Sequence, residues 1–245
     1  MLKIENTEVL GWEHVIRGMR NPMNSWEKRD SYFDCETCFC KDCMHTDENH
    51  CGHDALYIGS NDRFLMMTLR NAGTDHRKFM RMITVYVDIT APLYWWKEFD
   101  TYKVGTVANS CSTMHKLPDK EFTFDDFSYE HLVSGWTGTD SNGTPVILTG
   151  PCECLENTII MLNRIRNSYL DSLKTKSKTG LSSKDIWWQM IQLLPSSYNQ
   201  KRTVMLNYEV LANMYKNRKN HKLDEWVEFC EWIEDLPYSE IITGE

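Results

Sequence analysis

Between residues 79 and 90 the chain is rich in β-branched residues and its apolar positions partly alternate. Ile83, Val85, Val87 and Ile89 point one way, which predicts a strand that Pro92 ends. Elsewhere the spacing is helical. In the opening segment, residues 1–30, the positions of Val9, Leu10, Trp12, Val15 and Ile16 are roughly helical, and Asn21-Pro22 is a stop. Over 61–72, Asn61 is placed as a cap, Phe64, Leu65, Thr68 and Leu69 share a face, and Gly73 follows as a stop. Beyond Pro92 the spacing of Trp95, Trp96, Phe99 and Tyr102 predicts a short helix with an aromatic face within 93–103. Residues 134–151, rich in Gly, Thr, Asp, Asn and Pro, read as a loop. Three helices are then expected. The first, 153–174, has a stripe of Leu155, Ile159, Leu162, Ile165, Tyr169 and Leu173. The second, 183–194, is opened by Ser182 with Asp185 as a capping box and closed by Leu194-Pro195. The third, 201–218, has Val204, Asn207, Leu211, Met214 and Tyr215 on one side. A last helix over 223–235 carries Trp226, Phe229, Cys230 and Ile233. There is no internal repeat and no linker long enough to separate domains. One α/β domain over 1–245 is therefore expected, with residues 31–54 as a small insertion.

Composition narrows the class. Of 245 residues, 41% are hydrophobic and 12% aromatic, enough to bury a sizeable core. The balance of 27 basic against 35 acidic residues gives −8, which disfavours generic binding to nucleic acid or an anionic membrane. No apolar run approaches the length of a membrane span, and Met1–Glu8 lacks the apolar core of a secretory signal. A cytoplasmic protein with reduced or metal-bound thiols is expected.

The insertion is short on aliphatic residues and holds five of the nine cysteines and three of the eight histidines. It runs Cys35-x2-Cys38-x-Cys40-x2-Cys43-x-His45, then His50-Cys51-x-His53. Two C-x2-C pairs can supply four thiolates to one tetrahedral ion, so Cys35, Cys38, Cys40 and Cys43 are the candidate ligands of a loop-stapling zinc. The spacer between Cys38 and Cys43 is shorter than in common zinc modules. An iron–sulfur cluster and a loop of unligated thiols are the other readings.

Two further stretches carry candidate chemistry. From Asp100 to His115 the chain is dense in small polar residues, either a phosphate-binding run of amides and hydroxyls or a plain polar loop. In 201–218, Asn207, Asn213 and Arg218 stand among apolar neighbours. An arginine can grip a phosphate or the carbonyl edge of a pyrimidine through two parallel hydrogen bonds. It also suits a helix C-terminus, where the macrodipole favours a cation.

Taken together these stretches resemble the flavin-dependent thymidylate synthases, over roughly residues 60–120 and 185–235. His76 lies sixteen residues before Pro92, as in that family, and an aromatic helix follows. Thr101-Tyr102-Lys103 stands where the family has Arg-His-Arg, Thr106 falls at its first Ser, and with one inserted residue Asn109 and Ser112 match its Asn and second Ser. Leu194-Pro195, Asn207, Asn213 and Arg218 keep the family's later spacing. Met114 replaces a final Arg, and Ile191 or Gln192 another. Arg77, Lys78, Arg81, Lys97 and Lys116 are cations near enough in sequence to substitute for these losses.

The resemblance implies an antiparallel sheet flanked by helices, a homotetramer binding FAD, and transfer of a methylene carbon from methylenetetrahydrofolate to dUMP with NADPH as reductant. It places His76, Lys103, Thr106, Asn207 and Asn213 at the flavin. It places Arg218, Ser112 and Asn109 at the pyrimidine nucleotide, with Arg218 polarising the uracil edge and Ser112 beside it as the catalytic pair. Two other readings stay open: a nucleotide- or flavin-binding protein without turnover on the same scaffold, and a zinc-stabilised interaction module whose working part is the cysteine loop.

Overall fold

A computed structural model describes residues 1–35, 54–175 and 180–244. The fold mixes helices with an antiparallel sheet that they flank. The elements run β1 (Lys3–Leu10), α1 (Trp12–Arg20), β2 (Tyr32–Cys35), β3 (Asp54–Tyr57), α2 (Ser60–Asn71), β4 (Thr84–Pro92), α3 (Leu93–Phe99), β5 (Val107–Ser110), β6 (Trp136–Thr139), β7 (Pro145–Leu148), α4 (Pro151–Lys174), α5 (Ser183–Leu193), β8 (Asn199–Asn207), α6 (Tyr208–Arg218), α7 (Asp224–Glu234) and α8 (Glu240–Thr243). The main sheet has the order β1-β4-β8-β5. β2 pairs with β3, Tyr32 opposite Tyr57, and β6 with β7, Trp136 opposite Leu148. The chain forms two compact units. One comprises 1–6, 87–103 and 108–204; the other comprises 7–86, 104–107 and 205–245.

In the first unit, Val87 and Ile89 of β4 are buried, as the alternation requires. Pro92 closes the strand. The first two amides of α3, Leu93 N–H and Tyr94 N–H, donate to the carbonyls of Tyr198 and Ser196. Trp95, Trp96 and Phe99 are buried on one another with ring centroids 4.9–5.1 Å apart. Helix α4 packs on α5, and Leu155, Ile159, Leu162 and Met190 join Leu117, Phe122 and Phe127 in one apolar cluster. Ser182 and Asp185 form the expected capping box. The loop expected over 134–151 instead contains the β6–β7 hairpin. Its turn chemistry masked two short strands: the Asp140 carboxylate accepts from Asn142 and Thr144 N–H, both at 2.8 Å, and Gly143 takes φ +79°.

The opening segment begins as a strand rather than a helix, and from Thr7 on it belongs to the second unit. Gly11 (φ +98°) turns it into α1, where a β-carbon would lie 2.2 Å from the Met82 carbonyl oxygen. The helix stops at Arg20, before Asn21-Pro22, as expected. Helix α2 sits where the sequence placed it, but its face differs: Asp62 and Met66 are buried, while Phe64 is 76% exposed. The Asp62 carboxylate explains this. It accepts from Arg20 Nε (2.7 Å), Ser31 Oγ (2.6 Å), Ser31 N–H (3.0 Å) and Asp30 N–H (3.1 Å), all inside the unit. Asp30 in turn takes the Asn61 and Asp62 N–H groups, so the start of α2 is capped from 31–32 residues away rather than by Asn61. Arg70 holds the end of the chain by donating to the Ile241 and Ile242 carbonyls.

The helix expected over 201–218 is two elements. Residues up to Asn207 form β8, with Val204 and Leu206 buried in alternation, and α6 begins at Tyr208. Leu211, Met214 and Tyr215 of α6 are buried, as are Trp226, Phe229, Cys230 and Ile233 of α7. Among the described residues no helix is long and apolar enough to cross a membrane.

Candidate functional site

Five of the sequence-predicted residues, His76, Thr106, Asn207, Asn213 and Arg218, belong to the second unit, and three, Lys103, Asn109 and Ser112, to the first. Helix α6 organises the larger group. Asn207 caps it, the Oδ1 accepting from Val210 N–H at 3.0 Å. Its Nδ2 donates to the Gly105 carbonyl at 3.4 Å. Gly105 has φ +84°, and a β-carbon there would meet Asn207 Nδ2 at 2.4 Å, so glycine lets the loop before Thr106 approach the cap closely. Thr106 is half-buried beside it. The next side chain, Tyr208, is fully buried and donates to the Pro237 carbonyl at 2.6 Å; burial pushes its phenol far above the ordinary range, so it anchors rather than titrates.

Arg218 ends α6. It is half-buried, with its guanidinium over the Trp226 ring at 4.6 Å and one amino group 3.0 Å from His221 Nε2. The Leu223 N–H donates to His221 Nδ1, which fixes the imidazole. At 1.5 Å per residue, Asn207 and Arg218 are about 16 Å apart along the helix, and eleven positions return to about the same face. Asn213 is exposed, on a different face of α6. Burial pushes the nearby Cys230 thiol up to about 11, so it is no nucleophile.

His76 is exposed and lines a cleft of about 880 Å³ walled by Met19, Pro22, Leu69, Phe79 and Met82, with Asp75 and Lys78 as its other ionisable groups. That volume and apolar lining suit a flat heterocycle with few charges.

In the first unit, Lys103 is exposed and without an ion pair among the described residues, and Asn109 is exposed on β5. Ser112 Oγ accepts from the Met114 and His115 N–H groups at 3.2 and 3.0 Å, closing a turn and leaving its own proton to donate outward. Met114 is itself 42% exposed. Of the substitute cations, Arg77 donates to the Arg70 carbonyl, Arg81 pairs with Glu209 and Lys116 with Asp119. Lys78 and Lys97 have no ion pair among the described residues.

One cation escaped sequence reasoning. Arg202 on β8 lies 4.2 Å over the Trp96 ring and donates to Asp100 Oδ1 (2.7 Å) and Gln200 Oε1 (3.0 Å). It thus brings a guanidinium to the residue just before Thr101-Tyr102-Lys103. Reading 201–218 as helix hid it; the Thr203-Val204 alternation was the available signal. Cys35 ends β2, and Cys38, Cys40 and Cys43 lie outside the described residues. Among the described residues no group of His, Cys, Asp and Glu is placed to hold a metal.

No family model and no curated protein sequence matches the chain. Solved structures do. Thymidylate synthase X of Helicobacter pylori, in a crystal structure with FAD and dUMP, shares 13% identity at a TM-score of 0.59, over 98% of this chain and 96% of that one. A second crystal structure of that flavin-dependent enzyme with FAD and dUMP gives 12% and 0.57, with the same coverage. The UMP/dUMP methylase PolB of Streptomyces cacaoi, bound to 5-Br dUMP, gives 11% and 0.50 over 100% of this chain and 94% of that one. At these identities the likeness is one of fold.

Proposed function

We propose that this protein is a divergent flavin-dependent thymidylate synthase-like enzyme. It binds FAD and reductively methylates dUMP or a related pyrimidine nucleotide, taking the carbon from methylenetetrahydrofolate and the electrons from NADPH. The observation that carries the reading is the fold match over nearly the full length of proteins crystallised with FAD and dUMP. The homotetramer, the cytoplasmic setting and a zinc on Cys35, Cys38, Cys40 and Cys43 belong to the same proposal.

The described residues fit a flavin in two places: the apolar cleft at His76 takes a planar ring system, and Asn207 with its neighbour Thr106 offers polar contacts to a nucleotide tail. When bound and reduced, the flavin supplies hydride. The chain's own residues orient and polarise. Arg218, held flat by Trp226 and His221, presents guanidinium N–H groups to a uracil carbonyl edge and stabilises negative charge on the ring as its C5 becomes nucleophilic. Asn213, exposed on α6, contributes to the flavin side, while Lys103, Asn109 and Ser112 are assigned to cofactor and nucleotide from the resemblance alone.

The second reading is a binder without turnover. It is favoured by Thr101-Tyr102-Lys103 and Met114 in place of basic residues, since each lost charged hydrogen bond to phosphate costs about 1.5–3 kcal/mol.

An absorbance titration of the purified full chain with FAD tests the cofactor. The expected result is a protein-bound flavin spectrum; a chain that stays colourless at saturating FAD overturns both flavin readings. Two variants locate the contact. Asn207→Asp keeps the capping acceptor and loses the amide donor, so near-normal stability with weaker FAD binding is expected. Asn207→Ala loses the cap as well, with about 1 kcal/mol less stability in urea denaturation. Unchanged FAD affinity in both would remove Asn207 from the flavin.

A further inference from the structure

A second cleft, of about 520 Å³, opens where α1 ends, lined by Ile16, Arg17, Arg20, Asn21, Trp26 and Arg29. Its floor is fixed. Ile16 is buried, and the Arg20 charge is neutralised by Asp62 and its donors are spent on Asp62, Ser25 and the Lys28 carbonyl. Its rim is different. Trp26 is 50% exposed, yet its indole is held in place by Nε1 donating to Asn21 Oδ1 at 2.8 Å. Arg29 is oriented by Nε donating to the Ser31 carbonyl at 3.2 Å, and its nearest carboxylate, Glu13, is 4.0 Å away. Arg17 is exposed and makes no hydrogen bond or ion pair among the described residues. In a chain of net charge −8, the Arg17 guanidinium, unpaired among the described residues, and the Arg29 guanidinium, with Glu13 only at 4.0 Å, stand beside an anchored, half-exposed indole as an anion-and-ring arrangement.

We propose that this cleft binds a nucleotide, its base stacked on Trp26 and its phosphate gripped by Arg17 and Arg29. The chemistry accounts for each part. An aromatic side chain offers a face to any base, and stacking tolerates base identity. Guanidinium forks match phosphate oxygens and keep their charge at all working pH values. Once Arg20 is paired with Asp62, the rim acids Glu13 and Glu27 match Arg17 and Arg29 in number, so the grip on phosphate rests on the placement of the two guanidinium groups beside the indole rather than on net charge. The cleft is distinct from the one at His76 although Asn21 borders both, and the proposal does not rest on flavin binding or turnover.

Calorimetric titration of the full chain with AMP and UMP, and separately with adenosine and inorganic phosphate, is the test. AMP and UMP are expected to bind, with adenosine and phosphate each weaker by about tenfold or more. Arg17→Ala and Arg29→Ala should each weaken AMP by about tenfold and Trp26→Ala by a similar factor, while Trp26→Phe retains binding. All three side chains replaced lie at the rim, so thermal melts should stay near wild type and separate lost binding from lost folding. Three results would overturn the proposal: no AMP binding at millimolar concentration, affinity unchanged in the Arg17→Ala/Arg29→Ala double variant, or phosphate alone binding as tightly as AMP.

Discussion

Asp62→Ala is expected to lower the unfolding free energy by about 3–5 kcal/mol, because it strands the buried Arg20 guanidinium without its anion. Both side chains are buried, at 4% and 0% exposure. Four donors converge on Asp62, so the loss also frees the 25–31 segment that Ser31, Asp30 and Arg20 tie down. In a chain of this size the melting temperature should fall by on the order of 10 °C. A near-neutral result in a thermal melt would mean the pair contributes nothing net. Replacing both partners together, as Arg20→Met with Asp62→Leu, should recover much of the loss, since no charge is then stranded. The pair also sets an acid limit. Burial alone would raise the Asp62 carboxyl, but the bonds from Ser31, Arg20 and the Asp30 N–H outweigh it and hold it below the ordinary range. A lowered folded value means the contribution is complete above the unfolded value of about 3.9 and fades as pH falls through the folded one. Wild type should therefore lose stability more steeply below about pH 4 than the double variant does.

Arg218→Ala is expected to reduce turnover of the pyrimidine nucleotide by about 10²- to 10³-fold, the usual cost of removing one preorganised donor from a developing anion. The same change removes the contact with Trp226, worth about 0.5–2 kcal/mol, so a modest stability loss accompanies it. Arg218→Lys separates the two effects. Lysine keeps the cation over Trp226 and suits the helix C-terminus, so the melt should recover, but it lacks the planar fork and the rate should not. If both variants turn over at the wild-type rate, Arg218 is a packing residue at the end of α6 and nothing more.

The parts of the fold legible in the sequence are those where one period runs unbroken. Val85 to Ile89 alternate because one face of β4 is fully buried, and the 183–194 helix carried its start in Ser182 and its stop in Leu194-Pro195. The failures have separate causes. At Asn207 a strand passes directly into a helix with no Gly or Pro between, so the apolar positions of both elements fell on one apparent helical stripe. The 134–151 hairpin was hidden by its own turn residues. The face of α2 was misread because a buried carboxylate, Asp62, lies where the pattern sought an apolar residue, and only the distant Arg20 and Ser31 make that burial affordable.

Of the candidate site, the spacing His76, Asn207, Asn213 and Arg218 was visible by resemblance. Its local chemistry was not: that Asn207 bonds Gly105 and that Arg202 comes to Asp100 depend on contacts 102 residues apart in sequence, and that Arg218 lies on Trp226 depends on how the turn after α6 folds back.

The central claim is reductive methylation of a pyrimidine nucleotide. It is tested most directly by incubating the purified full chain with dUMP, methylenetetrahydrofolate, NADPH and FAD and measuring dTMP. The account predicts dTMP that depends on FAD and on NADPH and that falls away in Arg218→Ala. A chain that takes up FAD and dUMP yet leaves the dUMP unmethylated under these conditions would contradict it.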